Sequence, residues 1–238
     1  MASLIRRNIN FLVCDMVGTV VNENGIIYNS LEKVLKNMGC IVTQDKKESW
    51  YGQEKKKVLI DTLYDMDSSM TEGKNIKYLL AKAEHELEVE LTNNYFENGE
   101  IEVIDPFIHD FFSNLRINGV KIVLNTGYNG KLQRQIIEHL DLQSCIDDYI
   151  SSDMCRFGRP YPYMIHKLME RNSIYDVNNV AKVGDTINDM WEGKNAGVGL
   201  RIGVLSGMET RLKLQPHADV IVNKITDLQN DDLPVFLL

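Results

Sequence analysis

Ile9, Phe11, Leu12, Val13 and Cys14 form a nearly unbroken apolar run that stops at Asp15. A run without polar alternation suits a strand covered on both faces, the habit of parallel sheets. The pattern returns in VKIVLNT (Val120–Thr126), NVAKVGD (Asn179–Asp185), LRIGVL (Leu200–Leu205) and ADVIV (Ala218–Val222). Between these runs the apolar spacing becomes helical. Ile108, Phe111, Phe112 and Leu115 fall at i, i+3, i+4 and i+7. Leu132, Ile136, Ile137 and Leu140 make a second stripe, and Ile165, Leu168 and Met169 a third. Strands alternating with helices through the second half of the chain predict an α/β fold, a doubly wound parallel sheet.

The stretch 23–98 has a different grammar. Leu31, Val34, Leu35 and Met38 form one helical face, and Ile76, Leu79, Leu80, Ala83, Leu87 and Leu91 a longer one. No strand pattern interrupts them. An all-helical insertion is therefore expected over 23–98, with a core made of 1–22 and 99–238. Asn22–Gly25 and Asn98–Glu100 are its polar, Gly-containing hinges.

At 238 residues the chain is long enough to bury a full core without disulfide or metal staples. Its net charge of −8 and lack of a Lys/Arg stripe argue against nucleic acid as a partner. Lys55, Lys56 and Lys57 are the one tight basic run. The 4 cysteines (Cys14, Cys40, Cys145 and Cys155) show no C-x-x-C pair or zinc spacing, which fits a reducing compartment. The Arg6-Arg7 pair precedes too short an apolar stretch for a signal peptide, and no run nears the ~18 apolar residues of a membrane span. A cytoplasmic protein without a membrane partner is expected.

In an α/β sheet, ligands bind beyond the carboxyl ends of the strands. Here the first run ends in Asp15-Met16-Val17-Gly18-Thr19, the next in Asn125-Thr126-Gly127-Tyr128, and another in Gly184-Asp185-Thr186 with Asp189 beyond. Carboxylates brought to one rim repel unless one is protonated or a hard cation bridges them. Mg²⁺ with a phosphoryl ligand meets that condition. Gly18 and Gly127 would let backbone N–H groups approach an anion, and Arg159 offers a planar fork to phosphate oxygens. An Asp can also act as a nucleophile that becomes an aspartyl-phosphate.

D-x-x-G-T, N-T-G, G-R-P and G-D-T-x-x-D occur here in the order that characterises the haloacid dehalogenase superfamily, which the chain resembles over nearly its whole length. The resemblance implies a Rossmann-like core with the helical insertion as a cap. It makes Asp15 the nucleophile. Asp15, Asp185 and the carbonyl of Val17 would hold Mg²⁺, with Asp189 in support, while Thr126 and Arg159 would bind the phosphoryl group. A small phosphorylated or phosphonate compound is the implied substrate.

One departure stands out. Most phosphatases of the superfamily carry an acid two residues after the nucleophile, where this chain has Val17. Such an acid is worth about 10²–10⁴-fold. Phosphonatases lack it too, cleaving a carbon–phosphorus bond through a Schiff base on a cap Lys. Gly158–Met164, Thr126–Tyr128 and Lys182–Thr186 resemble that group, as does Gly52-Gln53-Glu54-Lys55 in the cap. Lys55 is thus the candidate amine, with Gly52, Gly127, Tyr128 and Tyr51 toward the substrate. Tyr51 and Val58 stand where phosphonatases carry Met and His. Lys55 therefore stays open between imine formation, non-covalent substrate contact and a solvated helix face.

Two other readings remain beside a phosphonatase-like hydrolase. One is an ordinary phosphomonoesterase with acid help from the cap or from a water near Tyr128. The other is a catalytically impaired binding protein on the same scaffold. Cap closure within one chain and closure against a second copy, in a homodimer, are both open. Cys14 and Trp191 read as core, Trp50 as either packing or pocket wall, His85 as surface, and Gly197–Gly199 as a turn into a strand.

Overall fold

The computed structural model describes residues 8–66 and 76–229. The Arg6-Arg7 pair and the outer ends of the expected core segments lie outside these residues. Six strands form one sheet: β1 (Phe11–Asp15), β4 (Lys121–Thr126), β5 (Asp148–Ser151), β6 (Val180–Gly184), β7 (Leu200–Val204) and β8 (Val220–Val222). Their order is β5-β4-β1-β6-β7-β8, and every neighbouring pair is parallel. The apolar runs correspond to these strands because β1, β4 and β6 are buried on both faces.

β5 is absent from the sequence expectation. It is a four-residue edge strand, DYIS, paired on one side to β4. With a short apolar stretch and a charged start, it carries too weak a pattern to stand out.

From β1 the chain pairs outward in opposite directions, through β4 and β5 on one side and β6 to β8 on the other. This is the topological switch point at which α/β sheets bind ligands. It sets the carboxyl ends of β1, β4 and β6 side by side, and with them Asp15, Thr126 and Asp185.

Residues 23–98 carry no strand among the described residues. They form α1 (Ile26–Asn37), α2 (Gln44–Ser49), α3 (Lys55–Tyr64), α4 (Ile76–Thr92) and a π-helical turn over Asn93–Glu97. Leu31, Val34 and Leu35 of α1 and Leu79, Ala83 and Leu87 of α4 are buried in one apolar cluster, as their spacing requires. The segment's ends are pinned by a second feature the sequence did not reveal. Short strands β2 (Val21–Asn22) and β3 (Glu102–Val103) pair antiparallel, Val21 opposite Val103. The expected hinges lie just inside this ribbon, so the helical segment leaves and re-enters the sheet domain at one place.

The remaining helices cover the sheet: α5 (Ile108–Ile117), α6 (Gly130–His139), α7 (Tyr163–Arg171), α8 (Ile187–Ala196) and the short α9 (Arg211–Leu214). Gly197 closes α8 in the left-handed conformation and turns the chain into β7, as read from the sequence. Trp50 and Cys14 are core residues. Trp191 is only half-buried, flanked by His217 and the Lys194 ammonium, which corrects its reading as core. Among the described residues no helix is long and apolar enough to cross a membrane.

Phe112 on α5 is completely buried. Its truncation, Phe112→Ala, is expected to lower the unfolding free energy by about 3–5 kcal/mol in urea titration, the usual cost of a large core cavity.

Candidate active site

Asp15 ends β1 and is buried, its Oδ1 paired with Arg159 Nη1 at 2.7 Å. Burial lifts the Asp15 carboxyl to about 6, against the opposing pull of Arg159. Arg159 is not an open fork. Its Nε donates to Glu192 Oε2 at 2.9 Å, and Nη2 donates to Asn125 O at 3.0 Å and Asn125 Oδ1 at 2.7 Å. Asn125 Nδ2 donates in turn to Glu192, and Lys182 Nζ donates to Asn125 Oδ1 at 2.7 Å. The guanidinium is thus locked onto the nucleophile candidate by a buried frame of Asn125, Glu192 and Lys182.

The three carboxylates of Asp15, Asp185 and Asp189 each place an oxygen within 4.8 Å of the others. Their surroundings differ. Asp189 faces Lys182 Nζ at 3.0 Å and Arg159 Nε at 3.2 Å and also accepts the Thr186 hydroxyl, so it is held well ionised. It closes a capping box at the start of α8, which ties it to the helix. Asp185 accepts the Met208 amide at 2.8 Å. Burial and the charges of Asp15 and Asp189 push its carboxyl well above the ordinary range. A buried carboxyl in that position either stays protonated or takes a cation. The group fits a hard divalent ion, with Asp185 as the carboxylate most in need of one.

Gly18 adopts φ +86°, and its amide donates to Val21 O at 2.8 Å. The expectation that this amide serves an anion is therefore corrected. Gly18 is needed because a Cβ there would overlap the Asp185 carboxylate. Gly127 meets a similar constraint from the helical segment, since a Cβ would stand 2.7 Å from Gln53 O. Lys55 N donates to Gly127 O at 3.1 Å across the same seam.

Asp15, Val17, Thr126, Gly127, Tyr128, Arg159 and Asp185 from the sheet domain share one cavity with Tyr28, Gly52 and Lys55 from the helical segment. Its free volume of about 20 Å³ admits little more than one water. Thr126 is buried at the end of β4, its Oγ1 accepting the Tyr128 amide. Lys55, first residue of α3, sends its ammonium inward. It donates to Gln53 O at 3.1 Å and Tyr28 Oη at 3.4 Å and lies 4.8 Å from the Tyr28 ring centre. Burial pushes Lys55 down to about 8, with Asp15 pulling the other way. Lys56 and Lys57 instead pair outside with Glu84 and Asp61.

Tyr51 is not among the residues lining this cavity. It packs on Tyr28, ring centres 4.8 Å apart, while its carbonyl accepts Asn188 Nδ2. Tyr128 is brought to the cavity, and its hydroxyl lies 2.7 Å from that of Tyr95, which donates to Glu23 Oε2 at 2.7 Å. Burial lifts the Glu23 carboxyl to about 7. The first hinge, through Glu23, and the π-helical turn before the second, through Tyr95, are thereby tied to the rim.

Glu23, Tyr28, Tyr95, Lys182 and Glu192 are the residues that motif reading missed. Lys182 was the most accessible from sequence, as a lone lysine inside a strand run buried on both faces.

The chain belongs to the haloacid dehalogenase-like hydrolases, whose family model matches residues 12–202. Phosphonoacetaldehyde hydrolase of Bacillus cereus (strain B4264) is 36% identical over 101 residues, which take in 42% of this chain and 38% of that protein. The match therefore spans well under half the length of that relative. The crystal structure of a phosphonoacetaldehyde hydrolase-like protein from Oleispira antarctica superposes with a TM-score of 0.72 at 19% identity, covering 94% of this chain and 90% of the other. β-Phosphoglucomutase from Clostridium difficile gives a TM-score of 0.74 at 18% identity, with 94% of each chain covered. These structures share the fold.

Two outcomes follow from the charges. Lys182→Met removes one of the two cations that Asp189 and Glu192 share, leaving the charge of Arg159, and is expected to cost about 3–5 kcal/mol in urea unfolding. Glu23 holds its proton to about pH 7 when folded, against an ordinary value of 4.5. Its contribution to stability is therefore full below pH 4.5 and lost as pH rises through 7. Relative to the wild type, Glu23→Gln should gain stability between pH 4.5 and pH 8, by roughly 3 kcal/mol at most. Paired urea titrations across that range measure it.

Proposed function

We propose that the chain is a Mg²⁺-dependent hydrolase that removes the phosphoryl group from a small phosphate or phosphonate through an aspartyl-phosphate on Asp15. The observation that carries this reading is one cavity lined by Asp15, which is clamped by Arg159, together with Lys55 and Thr126. Asp15, Asp185 and the carbonyl of Val17 would hold the ion, with Asp189 in support. When bound, Mg²⁺ supplies positive charge for the crowded carboxylates and for the phosphoryl oxygens.

Asp15 attacks phosphorus, and Arg159 keeps its carboxylate oriented throughout. Thr126 and the Gly127 backbone receive the phosphoryl oxygens. Water then cleaves the aspartyl-phosphate and restores Asp15. The cavity leaves little free space among these groups, and the helical segment acts as a cap. It swings on the β2–β3 ribbon to admit the substrate, and its return excludes water and delivers Lys55.

A carbon–phosphorus substrate with an adjacent aldehyde is the favoured member of the class. Lys55 sits inside the same cavity as Asp15, and burial moves its amine toward the neutral form that an imine requires. The similarity to phosphonoacetaldehyde hydrolase adds support over its matched stretch.

Phosphate release with Mg²⁺ from phosphonoacetaldehyde, acetyl phosphate and a sugar-phosphate panel tests the proposal, with borohydride present in a parallel sample. Release that Asp15→Asn abolishes, at least 10³-fold down, is expected. Borohydride trapping at Lys55 with phosphonoacetaldehyde would identify the carbon–phosphorus reaction. Release only from esters or acyl phosphates would make Lys55 a non-covalent contact. Release that survives Asp15→Asn would overturn the assignment of the nucleophile.

A further inference from the structure

Val17 leaves the usual acid position empty of any proton donor, yet the cavity roof holds a hydroxyl that motif reading passed over. Tyr28 lies in the first turn of α1, is 5% exposed, and lines the cavity together with Asp15, Thr126 and Lys55. Its oxygen accepts from two directions, from Gly52 N at 3.1 Å and from Lys55 Nζ at 3.4 Å. A phenol oxygen has two acceptor sites and one proton. With both acceptor sites engaged by donors, the Tyr28 proton is directed away from Gly52 and Lys55.

The ring is fixed as well. Tyr51 packs against it at 4.8 Å, and the Lys55 ammonium lies 4.8 Å from its centre. Asp15 belongs to the floor of the cavity, contributed by the sheet domain. Tyr28, Gly52 and Lys55 belong to the roof. In-line displacement puts the attacking and leaving atoms on opposite sides of phosphorus. A nucleophile on the floor therefore sends its leaving group toward the roof.

We propose that Tyr28 is a catalytic proton donor to the leaving oxygen of a phosphate monoester, with the Lys55 ammonium replenishing it, so that alkyl phosphates are a substrate class of this site. The proposal rests on the reading of Asp15 as the nucleophile. As the Asp15 oxygen bonds to phosphorus, the bond from phosphorus to the leaving oxygen breaks, and its electron pair stays on that oxygen. The leaving oxygen takes the Tyr28 proton, and Tyr28 takes one from Lys55. In the second half, a water oxygen bonds to phosphorus and Asp15 departs as carboxylate. One water proton returns to Lys55 through Tyr28, and the other stays on the released phosphate.

Proton donation matters in proportion to how poorly the leaving oxygen carries charge. This separates a proton donor from a packing residue. The test compares kcat/KM for ethyl phosphate and 4-nitrophenyl phosphate, with Mg²⁺, in the wild type, Tyr28→Phe and Asp15→Asn. Tyr28→Phe should fall about 10²-fold or more on ethyl phosphate and less than about fivefold on 4-nitrophenyl phosphate, whose leaving group needs no proton. Equal losses on both substrates, or no loss on either, would reduce Tyr28 to packing and overturn the proposal. Wild-type turnover of 4-nitrophenyl phosphate alone would overturn it too, while leaving Asp15 as nucleophile intact. Turnover unaffected by Asp15→Asn would instead remove the nucleophile reading, and the Tyr28 role with it. A thermal melt of Tyr28→Phe reads out its folding independently.

Discussion

The site depends on one buried guanidinium. Arg159 joins Asp15 to Asn125 and Glu192, and these residues reach it from different segments of the chain. Burying charges costs several kcal/mol per ion unless partners recover it, so such a group tolerates few arrangements. Lys182 completes the frame from the neighbouring strand, where it meets Asn125, Asp189 and Glu192. The result is a floor in which the orientation of Asp15 is decided before any substrate arrives. That is preorganisation in the electrostatic sense.

A second constraint is the closeness of the seam between helical segment and sheet domain. Gly52 adopts φ +69° under Thr186, and Gly127 passes against the Gln53 carbonyl. Side chains at either position would hold the two parts apart. The segment is attached by a two-stranded ribbon, and the Glu23–Tyr95–Tyr128 chain bonds its first hinge and its π-helical turn to the rim. This seam buries Lys55 and Tyr28 in the same cavity as Asp15 and leaves little free space among them.

Much of this was legible along the chain. Strands covered on both faces announce themselves as apolar runs, so β1, β4, β6 and β7 were plain, and the long stripe from Ile76 to Leu91 marked the helical segment. Asp15, Thr126, Asp185 and Lys55 were legible because each ends or follows a strand, or opens a helix, within a local motif. The edge strand at Asp148–Ser151 and the ribbon at Val21–Asn22 and Glu102–Val103 were not. They are too short for periodicity, and they exist through pairing with residues remote in sequence. Arg159 was legible as a residue but not in its geometry, and the packing of Tyr51 on Tyr28, outside the residues that line the cavity, had no local signal.

By itself the sequence determined the sheet, the helical insertion and the set of chemical groups at the strand ends, because these follow from periodicities and spacings a few residues long. The tertiary structure decided which groups touch. Glu23, Tyr28, Tyr95 and Glu192 belong to no local motif, Lys182 opens one that gives it no role, and the roles of all five arise from burial and from partners brought close by the fold. A hydroxyl on a helix face or a lysine within a strand has no assigned chemistry until the chain encloses it, since low dielectric and fixed neighbours determine where its proton goes.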